Sequence, residues 1–188
     1  MLYHVSQTSG LKTLQPHVST HKKLYVYAVQ NIITGLLFGA KQDDFDFIIS
    51  TDDNDVPTIW ECYPNALREI YGGKRCSVYE VDEKGFQRGV TSWSSELVCE
   101  STVEVINEIV VEDLYQRLSE EEQNGNIKIC RYEFSDEYRK RISKHIVDRF
   151  IRFEIDLDKC MEWDERFSMH YSGIIQELNR VTDGHLLQ

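Results

Sequence analysis

The sequence predicts an α+β protein, with a core of antiparallel strands joined by short helices and a helical segment at the carboxyl end. Short strand-like runs with few long helices occupy the first two-thirds of the 188 residues. A parallel doubly wound sheet would alternate its strands with long helices, so this pattern favours the α+β class. Apolar residues at helical spacing dominate after residue 135.

Local patterns place the first strands and the first helix. Leu2–Ser6 has the pattern of a strand, and residues 8–23 that of a turn followed by an exposed loop. Leu24–Val29 is a second strand. Asn31 is a good amino-terminal cap for a short apolar helix, which Gly39 is placed to end.

The middle of the chain alternates further strands with short helices. Asp43–Ile49 fits either a strand or a continuing helix. Strands are predicted over 59–63, 76–81, 97–99 and 103–111, and helices over 64–71 and from Glu112 onward.

The carboxyl-terminal third changes character. Residues 127–134 are a last strand candidate, and Asn124-Gly125 before them is a clear turn. Ser135 followed by two acidic residues is a good helix start, and a second helix is predicted from about 158 to 181. Both helices carry an apolar face, which indicates packing rather than chemistry.

Composition limits the partners. Hydrophobic residues make up 41% of the chain, which is ordinary for a globular domain with a real core. The formal net charge is -11. Because a nucleic-acid backbone is bound by clustered Lys and Arg, nucleic acid is not expected as the main partner.

Cysteine usage predicts a reduced protein. The five cysteines are odd in number, far apart and never in a C-x-x-C pair, unlike those of a disulfide framework or a zinc site. No signal-peptide pattern and no long apolar run are present. We therefore expect a cytoplasmic protein without a membrane partner, in which most thiols fill the core.

No metal site is predicted. His17 and His21 have the i, i+4 spacing of two helical ligands, but the residues between them follow Pro16 and are poor helix formers. The acidic stretch Thr51–Asp55 lacks the glycine and the distal glutamate of a calcium loop, so we interpret it as a solvated loop.

Three residues form a candidate site: His4 on the first strand, Tyr27 on the second and Glu96 at the start of a third. Taken singly, each of these residue types on a strand is usually structural. Their order along the chain makes the chemical interpretation worth testing. No G-x-G-x-x-G, P-loop, G-x-S-x-G or H-E-x-x-H pattern offers a competing site.

The segments around these residues resemble the ADP-ribosyltransferase superfamily. The matching stretches are Tyr3–Ser6, Val26–Ala28 before a short apolar helix, and Ser95–Val98 leading into Ile106–Val111. More narrowly, they are similar to the branch with a His-Tyr-Glu signature, which includes diphtheria-type toxins and poly(ADP-ribose) polymerases. The resemblance covers residues 1–117, which it implies are an ADP-ribosyltransferase-like core; we expect residues 118–188 to form a strand and helical extension packed on that core.

The resemblance implies that NAD is a substrate and that no metal is needed. Glu96 would stabilise the positive charge that develops on the ribose as the nicotinamide–ribose bond breaks. His4 would hydrogen-bond a ribose hydroxyl on the adenosine side, and Tyr27 would stack on the nicotinamide ring. Tyr25 takes that place if the register shifts by two residues, which keeps the same strand face. Ser6 would add a polar contact at the same strand end.

Two positions depart from the family pattern. Val5 stands where the family has Gly, at a position whose backbone binds the nicotinamide amide, and its branched side chain would crowd the ligand. Ser94 stands two residues before Glu96, where arginine-modifying relatives carry Glu or Gln. The acceptor is therefore expected to be something other than arginine: another protein side chain, nucleic acid, a small molecule or water.

Two other interpretations stay open. A catalytically degenerate relative would keep the fold without NAD and act as a protein-interaction module, which Val5 and the acidic composition fit. Alternatively, the His, Tyr and Glu are ordinary strand residues of an unrelated α+β domain. Convergence of the three side chains on one cleft would disfavour the unrelated domain, and NAD binding would separate the enzyme from the degenerate relative.

Overall fold

A computed structural model describes residues 1–18, 23–43, 45–52, 54–91, 93–153, 155, 167 and 169–171. Within these residues the chain forms eleven strands and four helices. The predicted α+β class is confirmed, and the described strand pairs of the larger sheet are antiparallel.

The bounds of the elements follow in chain order. The strands are β1 Leu2–Ser6, β2 Thr13–Leu14, β3 His17–Val18, β4 Leu24–Val29, β5 Phe47–Thr51, β6 Pro57–Glu61, β7 Cys76–Val81, β8 Gln87–Arg88, β9 Glu96–Cys99, β10 Val103–Val111 and β11 Lys128–Cys130. The helices are α1 Ile32–Leu36, α2 Ala66–Tyr71, α3 Leu114–Gln123 and α4 Asp136–Phe153.

Eight strands form the larger sheet, in the order β2-β10-β7-β1-β4-β9-β8 with β3 paired to β4. In its middle, β1 pairs with β7 from Leu2 opposite Val81 to Ser6 opposite Ser77. A smaller sheet has the order β11-β6-β5. The larger sheet thus places β1, β4 and β9 side by side, although they come from distant parts of the chain.

An apolar cluster covers one face of the larger sheet. Its members recur at every second position of several strands, as expected for side chains that point to one face. They are Leu2, Leu14, Val26, Ala28, Tyr79, Val81, Leu97, Cys99 and Val103. Burying one large aliphatic side chain contributes about 1.5–3 kcal/mol, so a slip of one residue in any of these strands would be costly.

Helix α1 packs against the other face of β1 and β4. Asn31 Oδ1 accepts a hydrogen bond from the backbone N–H of Ile33 at 2.9 Å, so Asn31 is the cap that the sequence predicts. Gly35 allows a close approach to the sheet, because a Cβ there would lie 3.1 Å from a methyl of Val5 and 3.3 Å from a methyl of Val29.

Spatial contacts divide the chain into two compact units. The first consists of residues 1–42, 49–59 and 67–130, and the second of residues 43–48, 60–66 and the chain from Arg131 onward. The larger sheet belongs entirely to the first unit, which extends beyond residue 117 through β11.

The second unit has an aromatic core of its own. The ring of Phe45 lies 5.1 Å from the ring of Phe150 and 5.0 Å from that of Phe167, measured between centroids. The hydroxyl of Tyr171 donates a hydrogen bond to the backbone oxygen of Phe45. Helix α4 therefore contributes its apolar face, through Phe150, to packing within this unit.

Several elements differ from those predicted. The strands β2, β3 and β8 have two residues each, and such short strands form because neighbouring strands offer hydrogen-bond partners, not because of a local pattern. The strand expected over 127–134 is confined to Lys128–Cys130. The stretch Asp43–Ile49 contains the start of β5 at Phe47.

The helix predicted from about 158 to 181 lies outside the described residues, apart from Phe167 and residues 169–171, which are helical. Among the helices that the structure describes, none is long and apolar enough to cross a membrane.

The described cysteines are free thiols in or near the core. Cys62, Cys76 and Cys99 are buried, and Cys130 is half-buried. Burial raises the pKa of Cys62 to about 12 and that of Cys76 to about 11. Because the thiolate is the nucleophile, these two thiols are unreactive near neutral pH.

Candidate functional site

The strands that carry His4, Tyr27 and Glu96 are direct neighbours in the larger sheet. β1 pairs with β4 at Tyr3 opposite Val29, and β4 pairs with β9 at Val29 opposite Glu96. One row of residues therefore crosses all three strands. Since neighbouring strands lie about 4.8 Å apart, the backbone of Glu96 is roughly 10 Å from β1 along this row.

His4 lies where β1 and β4 part. The register of β1 with β4 is confined to the Tyr3–Val29 pair, whereas β1 stays paired with β7 as far as Ser6. Just beyond the Tyr3–Val29 pair, Nδ1 of His4 lies 2.7 Å from the backbone oxygen of Tyr27. The imidazole thus takes the place of a ladder hydrogen bond and spans the gap between the two strands.

This hydrogen bond fixes the state of the imidazole. A carbonyl oxygen only accepts, so Nδ1 of His4 carries a hydrogen and donates it to Tyr27. Burial lowers the pKa of His4, the Tyr27 hydrogen bond opposes that effect, and the neighbouring His17 lowers the pKa further. The ring is therefore neutral at pH 7, and its Nε2 presents a lone pair that accepts hydrogen bonds.

The side chains of Tyr27 and Glu96 lie on one face of the sheet, and that of His4 lies on the opposite face. Side chains directly opposite each other or two apart on a strand point to the same side, and Tyr27 is two residues from Val29, the partner of Glu96. The ring of His4 stacks instead on Tyr79 of the apolar cluster, 6.4 Å away between centroids. The three side chains therefore do not lie on one face of the sheet: those of Tyr27 and Glu96 share a face, and that of His4 lies on the other.

The end of β5 and the turn that follows it lie beside Ser95, the residue before β9. Glu96 begins β9 and is half-buried, and the hydroxyl oxygen of the preceding Ser95 lies 3.5 Å from both Thr51 Oγ1 and Asp55 Oδ1. The side-chain amide of Asn31 donates to the backbone oxygen of Asp55 at 2.7 Å. The local sequence pattern predicted only a solvated loop between β5 and β6. It could not predict the contact with Ser95, because that contact joins residues far apart in the sequence.

His17 joins the aromatic side chains of β4. β3 pairs with β4 at His17 opposite Tyr25. The ring of Tyr27 lies 6.4 Å from that of His17 and 5.9 Å from that of Tyr25, edge-on in both cases. Tyr25 is buried, Tyr27 is half-buried and His17 is exposed. Sequence patterns do not predict this position, because a two-residue strand has no signature of its own.

Val5 and Ser6 complete the end of β1. Val5 pairs with Val78 of β7, and one of its methyl groups lies 3.1 Å from the position that a Cβ on Gly35 would take. The hydroxyl oxygen of Ser6 accepts a hydrogen bond from the backbone N–H of Thr8 at 3.1 Å. The Val5 side chain therefore packs under α1, and Ser6 shapes the turn that follows His4.

Glu108 anchors the loop that follows β1, a role that its sequence context does not predict. Glu108 Oε1 accepts hydrogen bonds from the backbone N–H of Gly10 at 2.9 Å and from the hydroxyl of Ser77 at 2.7 Å. The hydroxyl of Tyr79 donates to the backbone oxygen of Thr8 at 2.7 Å. The hydrogen bonds from Gly10 and Ser77 lower the pKa of Glu108. Together these bonds hold the loop next to the ring that contacts His4.

Replacing Glu108 by Ala should release this loop without unfolding the sheet. The Gly10 amide loses its acceptor, so we expect its hydrogen exchange to rise roughly tenfold while the amides of β1 and β7 stay protected. Because the pKa of Glu108 is lowered on folding, its contribution is present above the unfolded carboxyl pKa and is lost as pH falls through the folded value. Acidification should therefore loosen the same loop in the wild type.

The matched control for this loop is Glu80→Ala. Glu80 accepts a hydrogen bond from the side chain of Asn107 at 3.1 Å, on the next row of the same two strands. Its removal should leave the Gly10 amide protected. Equal exchange at Gly10 in Glu108→Ala and in the wild type would contradict the anchoring role.

Comparisons with models of protein families, with curated proteins and with solved structures found no match. Within the part of the chain that the structure describes, no group of three or more His, Cys, Asp or Glu side chains is arranged to hold a metal ion.

Proposed function

We propose that the chain is an NAD-dependent ADP-ribosyltransferase, which cleaves the nicotinamide–ribose bond and transfers ADP-ribose to an acceptor other than arginine. The observation that carries the proposal is the adjacency of β1, β4 and β9 in one sheet. These are the strands whose sequences resemble the His-Tyr-Glu branch of the superfamily. An unrelated α+β domain would have no requirement to bring them together.

Glu96 acts on the ribose in this proposal. As the bond between C1′ and the nicotinamide nitrogen breaks, its electron pair leaves with nicotinamide and positive charge develops on the ribose. The carboxylate stabilises that charge. The acceptor atom then bonds to C1′, and its proton passes to the carboxylate or to solvent. The half-buried position of Glu96 favours this role, because charge interactions strengthen as water is excluded.

His4 and Tyr27 hold the dinucleotide on the two sides of the gap. Because Nδ1 of His4 is committed to the Tyr27 backbone oxygen at 2.7 Å, its Nε2 accepts the hydrogen bond from a ribose hydroxyl. The half-buried ring of Tyr27 stacks on nicotinamide. Tyr25 is 3% exposed and contacts the ring of Tyr27 edge-on, so it supports Tyr27, and the unshifted register is favoured. Ser6 keeps its O–H as a donor for the ligand.

NAD labelled in the adenine ring tests transfer directly. Nicotinamide should appear in step with label on a protein, nucleic-acid or small-molecule acceptor, or with free labelled ADP-ribose if water is the acceptor. Agmatine, which mimics arginine, should gain no label, because Ser94 lacks the side chain that arginine-modifying relatives carry. Failure to release nicotinamide with every acceptor class would reject the enzymatic proposal.

A catalytically degenerate relative that acts as a protein-interaction module is the second candidate. Val5 favours it, because a branched side chain replaces the glycine of the family at the nicotinamide position. The packing of Val5 beneath α1 offers a physical reason for the exchange, since the side chain fills space next to Gly35.

Replacing Val5 by Gly tests whether this side chain crowds the nicotinamide position. If crowding limits the site, NAD should bind about tenfold more tightly. The cavity left beside Gly35 should also cost on the order of 2–4 kcal/mol of stability. Val78→Ala, directly opposite on β7, removes buried volume without touching the predicted ligand position and should leave the affinity unchanged. Equal NAD affinity in Val5→Gly and the wild type would remove crowding as an explanation.

A further inference from the structure

We propose that His17 binds the pyrophosphate of the dinucleotide, which makes β3 part of the NAD site; this inference rests on the proposed function. The imidazole of His17 is exposed, contacts the ring of Tyr27 and lies near His4. In the proposed function, His4 binds the adenosine half of NAD and Tyr27 binds the nicotinamide half. The chemical group that joins those halves is the pyrophosphate.

The position of His17 is set by β4 rather than by a loose loop. His17 pairs with Tyr25, and Val18 pairs with Leu24. The centroid of the imidazole lies 6.4 Å from that of the Tyr27 ring, with the ring planes at 62°. The strand that positions Tyr27 therefore positions His17 as well, and both side chains can serve one ligand.

His17 also lies within electrostatic reach of His4. The neighbouring His17 lowers the pKa of His4, which places the two rings within the range of a charge interaction. A dinucleotide with one ribose on His4 and its nicotinamide on Tyr27 must carry its phosphates between these side chains. His17 is in contact with the second of them and near the first.

The negatively charged pyrophosphate requires a hydrogen-bond donor, which His17 supplies. The chain has a formal net charge of -11, and the site itself contains the carboxylate of Glu96, so a dianionic pyrophosphate requires a donor nearby. A neutral imidazole offers one N–H and an imidazolium offers two, with shorter and stronger hydrogen bonds to phosphate oxygens when it is charged.

The test compares ligand fragments on the full chain by calorimetry. The probes are NAD, ADP-ribose, which contains the pyrophosphate, and nicotinamide, which does not. In His17→Ala we expect NAD and ADP-ribose to bind roughly tenfold more weakly, the size of one lost charge-assisted hydrogen bond. Nicotinamide should bind as in the wild type. His17→Gln, which keeps an N–H donor, should recover part of the affinity for ADP-ribose.

Val18→Ala is the matched control, since Val18 is the neighbouring exposed residue of the same strand. It should change neither affinity, and thermal unfolding of each variant checks that the fold is retained. Unchanged ADP-ribose binding in His17→Ala overturns the proposal while leaving the proposed function intact. An equal loss for nicotinamide overturns it too, because His17 would then only support the Tyr27 ring. A wild type that binds neither NAD nor ADP-ribose overturns the proposed function, and this inference with it.

Discussion

Glu96→Gln should lower the rate of nicotinamide release by about 10²–10³-fold, the cost of removing one preorganised electrostatic contact to a transition state. Gln has the shape of Glu and keeps an oxygen that accepts hydrogen bonds, but it lacks the charge that opposes the developing ribose cation. The backbone N–H of Glu96, which donates to the oxygen of Trp93 at 3.2 Å, is unchanged. We therefore expect turnover to fall while the NAD dissociation constant and the melting temperature stay near those of the wild type.

Glu100→Gln is the control for this experiment. Glu100 is exposed and directly follows β9. The substitution therefore removes the same charge from the other end of the strand. Initial rates of nicotinamide release at saturating NAD measure the difference. Near-wild-type turnover in Glu96→Gln, or an equal loss in Glu100→Gln, would reject the role assigned to Glu96.

His4→Ala should weaken both NAD binding and the fold. The backbone oxygen of Tyr27 loses its partner at 2.7 Å, and leaving such a group unsatisfied in a partly buried site costs about 1–3 kcal/mol. The ligand loses the Nε2 acceptor, so its affinity should fall roughly tenfold. Thermal unfolding and calorimetry measure the two effects separately.

His4→Asn separates the structural bond from the ligand contact. The Asn side-chain amide can reach the position of Nδ1 and donate to the Tyr27 oxygen, but it has no atom at the position of Nε2. We expect Asn to restore most of the stability lost in His4→Ala and none of the NAD affinity. Recovery of both properties by Asn would mean that His4 acts only as a bridge between β1 and β4.

Lowering the pH should reduce both the folding stability and the NAD affinity that depend on His4. Burial lowers the pKa of His4 below its usual 6.5, so the unfolded chain binds more protons in this range and stability rises with pH. The contribution is present above 6.5 and is lost as pH falls from there toward the folded value. Protonation of Nε2 in the folded chain removes the acceptor, so NAD affinity should fall as pH approaches and passes through the folded pKa of His4. The difference between wild type and His4→Asn isolates the contribution of His4, and equal pH profiles in the two would contradict the assignment.

The long strands could be predicted because each carries its own pattern. Cys76–Val81 and Val103–Val111 have the predicted bounds, and Asn31 caps α1 as its side chain predicts. Their apolar residues recur at strand spacing within a single segment. No knowledge of the neighbouring strands is needed to see this.

The details of the site could not be predicted in this way, because they depend on pairings between distant segments. The bond from His4 to Tyr27 exists because the β1–β4 ladder stops after Tyr3. The position of His17 depends on β3 pairing with β4. Glu108 reaches Gly10 across 98 residues of sequence. Residue types and their order indicated the three strands. Only the strand register shows that the side chain of His4 lies on the opposite face of the sheet from those of Tyr27 and Glu96.

Titration of the full chain with NAD, with nicotinamide release followed in the same sample, tests the proposed ADP-ribosyltransferase activity. We expect NAD to bind and nicotinamide to be released, at a rate that Glu96→Gln lowers by about 10²–10³-fold. Binding without release would keep the dinucleotide site and make a missing acceptor the next question. No binding at millimolar NAD would contradict the proposed function, and it would leave His4, Tyr27 and Glu96 as structural residues of a degenerate or unrelated α+β protein.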